Sequence, residues 1–194
     1  MRRTGLQREA VENLVISGAF DSLVPDRRQA LWEVGLRYRP AGQQGSLELS
    51  VEQDMAQLPL LSDWEAMGGE YTTMGVHPGG HLMEKLRPTL GADVVPSDEV
   101  PYLADGMEVT VAGLVIRRQR PLAKAVFLTL EDEFGHTPIV VWPKTYHRYR
   151  HVLREAVLKV RGVVSRREGT LNIVLTHAER ISAPDTLPEA HSWR

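Results

Sequence analysis

From Met107 onward the chain abandons helical spacing for five short runs rich in Val, Ile, Leu and Thr: "EVTVAGLVIRR", "KAVFLTLED", "TPIVVW", "AVLKVRGVVSRR" and "GTLNIVLTHAERI". A turn signal bounds each run, which is the pattern of strands rather than helices. Between the third and fourth lies "PKTYHRYRHVLRE", which opens with Pro143 at a helix-start position and holds no β-branched residue between Thr145 and Val152. Five strands with one helix between the third and fourth is the chain order of an OB-fold, a small closed barrel. The expected class is therefore α+β, a small N-terminal helical region followed by a five-stranded barrel.

The second run ends in three consecutive acids, Glu131, Asp132 and Glu133, before Phe134 and Gly135. In a strand, Val126, Leu128 and Leu130 share one wholly apolar face, which belongs inside a barrel, while Phe127, Thr129 and Glu131 share the other. The acids then fall in the connection to the third strand, where Asp and Gly supply turn geometry. Two-metal chemistry needs carboxylates converging from separate segments, and these strands hold no second acidic cluster. The acids read as a hairpin.

Phe127 is expected to project outward, with Lys124 just before it. The first connecting loop, "RRQRPLAK", carries Arg117, Arg118 and Arg120 as well as Lys124, the last hairpin, "SRREGT", adds Arg166 and Arg167, and Trp142 closes the third run. In an OB-fold these loops flank the face of strands two and three. Cationic loops around an aromatic platform suit an extended nucleic-acid strand, because phosphates need charge and bases need a flat apolar surface. In the intervening helix, Tyr146, Tyr149 and Leu153 share a face that packs on the barrel bottom, leaving Arg148 and His151 outside.

Charge divides along the chain in the same sense. The formal net charge is −2, yet residues 107–182 hold 13 Lys+Arg against 7 Asp+Glu, and the remainder 10 against 18. Such segregation points one module toward a polyanion. With no cysteine, a disulfide framework, a thiolate zinc site and a cysteine nucleophile are all excluded. His77 and His81 are four apart, but "HPGGH" cannot stay helical, and the spacing reads as a cap or turn rather than a metal site. Phosphate-loop, nucleophile-elbow and metalloprotease motifs are absent, so no metal or other cofactor is expected. Neither a membrane-length apolar run nor a signal peptide is visible, and the expectation is a cytoplasmic protein with no membrane partner.

Upstream of the barrel the sequence divides into a helical region at 1–39, a linker at 40–61, a helical connector at 62–100, the barrel at 101–182 and a tail at 183–194. Leu6, Ala10, Leu14 and Val15 recur at helical spacing, with Gly18 as the stop. Asp26 caps a second helix in which Leu31, Val34 and Tyr38 form a stripe. Two shorter helices follow, in "SDWEAMGGEYTTMG" and "HLMEKLRPTL", the latter capped near His81 and bent or ended at Pro88.

The strings "TGLQREAVENLVISGAFDSL", "RRQALW", "GEYTTMGVHPGGHLMEKLRP" and "VTVAGLVIRRQRPLAKAVFLTLEDEFGHTPIVVWP" together resemble the carboxy-terminal part of bacterial error-prone DNA polymerases, relatives of the replicative polymerase alpha subunit. The resemblance runs from about Thr4 to Ile181. It implies that "TGL" and the helix ending in "GAFDSL" form the second half of a helix-hairpin-helix, with Gly5, Gln7 and Arg8 near duplex phosphate, and that the barrel binds single-stranded DNA. The family's catalytic aspartates lie in a palm domain upstream and none has a match here, so the resemblance implies no polymerisation by this chain. The corresponding expectation is a truncated or split reading frame, or a portion acting with the rest of a polymerase.

Two departures from the family pattern, a short first loop without glycines and Pro138 in place of an amide side chain, imply weaker single-strand affinity. "QLPLL", comprising Gln57, Leu58, Leu60 and Leu61, resembles a sliding-clamp docking peptide, making the clamp and other translesion-synthesis proteins candidate partners. Two alternatives stay open at this level, a protein-interaction module and an anticodon-type RNA-binding OB-fold.

Overall fold

The period change at Met107 marks the start of a barrel. In the computed structural model, which describes residues 5–38, 58–120, 125–167, 169–182 and 191–193, the helices are α1 (Arg8–Ile16), α2 (Arg27–Arg37), α3 (Asp63–Met74), α4 (Leu82–Leu86) and α5 (Pro143–Tyr149). The strands are β1 (Glu108–Gln119), β2 (Val126–Glu131), β3 (His136–Val141), β4 (Val157–Arg167), β5 (Thr170–Arg180) and β6 (His191–Trp193). β2, β3, β5, β4 and β1 follow one another around the sheet, and a β1–β2 pairing closes it. All these pairings are antiparallel except β3 with β5, where Ile139 lies beside Ile173. This is the expected OB-fold.

Alternation decides what fills the barrel. Leu128, Leu130, Ile139, Val141, Leu158, Val160 and Ile173 form its core, with at most 1% exposure each. Burying each such side chain contributes roughly 1.5–3 kcal/mol. Tyr146, Tyr149 and the fully buried Leu153 close the end beneath α5, as their helical spacing predicts.

β1 closes the barrel by pairing with two neighbours, β4 up to Leu114 and β2 from Leu114 on, with a bulge between Val115 and Arg117. Gly113 permits the hand-over, because a Cβ there would sit 2.7 Å from the Glu131 carbonyl oxygen. β6 has no counterpart among the five apolar runs. It lies in the segment read as a tail and pairs in parallel with Arg117–Gln119.

The barrel's other end is crossed by the segment leading into β1. Asp93 meets Lys159 at 3.3 Å, and the Val95 amide donates to the Thr110 carbonyl. Val100 plugs the core at 1% exposure. The Arg166 guanidinium grips the carbonyls of Pro101 and Leu103, while its backbone amide donates to Asp105.

The described residues form two compact units that divide between Val76 and His77, inside the stretch read as a single connector. In the first, Asp26 caps α2 by accepting from the amides of Arg28 and Gln29, and Gly18 ends α1 at φ 81°. The α1 stripe is rotated from the predicted one. Val11 and Val15 are buried against Ala30 and Val34 of α2, whereas Leu6 and Leu14 are exposed. Arg27 ties α2 to Asp21, to Glu70 of α3 and to the Ile16 carbonyl. Its pKa is raised, chiefly by the Asp21 hydrogen bond. In the second unit, His81 caps α4, its Nδ1 accepting from the Met83 amide at 3.0 Å, and the chain turns to a 3-10 segment at Pro88.

Candidate nucleic-acid interface

Outward positions on the adjoining edges of β1, β2 and β3 form one row after another. Gln119, Phe127 and Val140 lie in register, as do Arg117, Thr129 and Pro138. Phe127 is 39% exposed on a strand whose inward neighbours, Val126 and Leu128, are buried. Trp142, 51% exposed, follows directly on β3. The ring that alternation places outward is therefore exposed, and Arg117, also exposed, lies in the adjoining row on β1. With the Gln119 amide turned so that its oxygen faces the guanidinium, it accepts from Arg117 Nη2 at 2.8 Å.

Arg118 goes elsewhere. It pairs with Leu128, an inward residue, because the bulge at Ile116 reverses the alternation: Val115 and Arg118 face in, Arg117 and Gln119 out. Its Nε and Nη2 are buried, with no hydrogen-bond partner among the described residues. Burial pushes its pKa down, the Tyr146 hydroxyl opposes this, and Arg154 adds to the depression. Arg120 is also drawn toward α5, its guanidinium 5.0 Å from the Tyr146 ring centroid. Lys124 lies outside the described residues.

The two basic loops do not share an end. Val126, where the first loop delivers the chain, pairs with Val141, whereas the β4–β5 hairpin opens where β5 runs beside the start of β3. The described flanks of the two loops lie at opposite ends of the β2–β3 face. Arg167 is exposed, but Arg166 is occupied by the Pro101 and Leu103 carbonyls, a role invisible to local sequence because its partners lie more than 60 positions away.

The acidic triplet is the far end's clasp. Asp132, 5% exposed, accepts from the Ser97 amide and hydroxyl and from the Phe134 and Gly135 amides. Burial pushes its pKa up, but those donors outweigh burial and hold it below the ordinary aspartate value. Arg87 bridges Asp132 and Glu133 and covers the Phe134 ring at 5.4 Å. Glu131 pairs with His136 at 3.1 Å. The hairpin reading holds, with a second task that the triplet does not advertise: fastening the lead-in segment.

In the helical unit, Gly5 is exposed at φ 62° with nothing within 4 Å of a Cβ position. Arg8 pairs with Glu12 at 2.7 Å. Of the clamp-like segment, Gln57 lies outside the described residues. Leu58 lines a cavity of about 530 Å³ with Leu31, Trp32 and Leu36, Arg28 donates to the Pro59 carbonyl, Leu61 is half-buried, and Leu60 is 73% exposed.

Residues 109–181 match the family model of an OB-fold nucleic acid binding domain. An error-prone DNA polymerase of Sinorhizobium medicae is 35% identical over 192 residues, covering 93% of this chain and 17% of its own length. One of Anaeromyxobacter dehalogenans is 38% identical over 177 residues, covering 89% and 16%. The chain is homologous to a part of the error-prone DNA polymerases. Relative to these curated relatives it spans about one sixth of their length. Among solved structures, an asparaginyl-tRNA synthetase of Pyrococcus horikoshii matches half of this chain and 24% of its own at 29% identity and a TM-score of 0.41. No helix among the described residues is long and apolar enough to cross a membrane, and among them no group of three or more His, Asp or Glu is placed to hold a metal ion.

Proposed function

We propose that this chain is a nucleic-acid-binding portion of an error-prone polymerase and that its barrel binds single-stranded DNA across β2 and β3. The observation that carries the reading is Phe127: an exposed ring on a rigid sheet, flanked by Arg117 and Trp142, on a face whose inner side is fully packed. A base stacked on such a ring contributes about 1–3 kcal/mol. Pro138 on the same face supplies no amide hydrogen, which favours stacking and charge over base-edge hydrogen bonds.

Anisotropy of labelled single-stranded DNA and RNA at two salt concentrations tests this. Expected is salt-sensitive DNA binding that weakens about 5- to 150-fold in Phe127→Ala. Binding to RNA alone would replace the reading by the anticodon-type alternative, and no binding to either would leave a protein-interaction module.

We propose two finer assignments as well. Gly5, Gln7 and Arg8 contact duplex phosphate in the helix-hairpin-helix reading, which an Arg8→Ala loss of duplex affinity supports. Docking of "QLPLL" on a sliding clamp uses the exposed Leu60, and it must release Leu58 and Pro59 from their own unit. Co-elution with a clamp, abolished in Leu60→Ala, is its test.

A further inference from the structure

Between Phe134 and Arg167 the chain carries Lys144, Arg148, Arg150, Arg154, Lys159, Arg161, Arg166 and Arg167 against a single carboxylate, Glu155. Half of these cations fall in α5 and the turn after it. Lys144, Arg148, Arg150 and Arg154 are all exposed, and none has a carboxylate partner among the described residues, whereas Arg27, Arg28, Arg87 and Lys159 each have one. Instead of acids, this end offers rings. Arg148 lies 5.5 Å from the Tyr149 ring and Arg120 5.0 Å from that of Tyr146. The Tyr149 hydroxyl meets His177 Nδ1 at 2.8 Å.

A guanidinium resting over a ring keeps outward N–H groups free and gives up little freedom when it binds an anion. Beneath them the half-buried Arg118 adds charge with no described counter-ion. The patch also adjoins the β2–β3 face at two points: Trp142 directly follows β3 and is the N-cap of α5, and Arg120, just past β1, reaches Tyr146.

We infer that the α5 surface, with Arg120, Lys144, Arg148, Arg150 and Arg154, is a second nucleic-acid contact, gripping the sugar-phosphate backbone of a strand that continues past Trp142 from the β2–β3 face. The inference rests on the single-strand reading above and adds a direction to it. Bases are held by Phe127, and the adjoining backbone by cations that touch no base. Affinity must then grow with ligand length beyond what the sheet alone covers.

The experiment compares labelled single-stranded DNA of about 6 and about 20 nucleotides, bracketing one OB-fold site, across a salt series. The proteins are the full chain, the triple variant Arg148→Gln, Arg150→Gln, Arg154→Gln, and its Lys counterpart at the same positions. Expected is an unchanged affinity of the triple Gln variant for the short oligomer. For the long one, the dependence of log affinity on log salt should flatten by about 2, or 0.7 for each lost phosphate contact. The Lys variant should restore the slope, which a general loss of folding would not permit. An unchanged slope for the long oligomer, or equal weakening for both lengths, overturns the inference while Phe127-dependent binding stands. If the unsubstituted chain binds neither oligomer, the single-strand reading falls and takes this inference with it.

Discussion

The two ends of the barrel use charge in opposite ways. At the end where β2 turns into β3, charges are consumed by the fold: Asp132 and Glu133 hold Arg87, Asp132 holds Ser97, and Arg166 holds two carbonyls of the lead-in segment. At the α5 end Lys144, Arg148, Arg150 and Arg154 are exposed, Arg120 and Arg148 lie over tyrosine rings and Arg150 donates to His151, with no carboxylate among their described partners. A count of arginines treats both ends alike. Only the partners distinguish a set bound into the fold from a set with no carboxylate among its described partners.

The strongest way to break the comparison is Asp132→Ala, which strands the Ser97, Phe134 and Gly135 amides and an arginine at once. Loss of one partner of a buried charged network costs about 3–5 kcal/mol, readable as a shift in the urea midpoint. The same carboxylate makes the clasp acid-sensitive. Its folded pKa lies below the unfolded one, so its contribution is complete above the unfolded value of about 3.9 and drains away as pH falls through the folded value. Urea midpoints across that acid range should fall more steeply for the natural chain than for Asp132→Asn.

Arg166→Ala separates the ends further. Releasing the Pro101 and Leu103 carbonyls lowers stability by about 1 kcal/mol once solvent exposure is allowed for, with single-strand affinity retained. Arg150→Ala should do the reverse, shifting stability by less than about 0.5 kcal/mol while weakening binding to long oligomers. Smallest is Arg8→Ala, where an exposed i, i+4 pair is worth about 0.3–0.5 kcal/mol in thermal unfolding. Equal stability losses for Arg150 and Arg166 would erase the distinction between the ends.

The barrel was legible because its signals are local and repeat: alternation exposes Phe127 and buries Leu128, Pro143 opens α5, and Asp132 with Gly135 makes a turn. Helix caps at Asp26 and His81 were readable for the same reason. Arg118 was not, because one inserted residue at Ile116 flips the phase of everything after it, and a bulge leaves no mark in the order of apolar residues. Arg166 and the α1 stripe escaped for another reason. Their positions are settled by partners distant in sequence, Pro101 and Leu103 in one case, Ala30 and Val34 in the other.

The strap that crosses the barrel end also has a mechanical meaning. Tension arriving through Arg87 and Ser97 is shared by the Asp132 contacts, the plugged Val100 and the Arg166 grip before it reaches Glu108. A polymer chain pulled from its helical side therefore loads several anchors at once instead of peeling β1 from β4 one rung at a time.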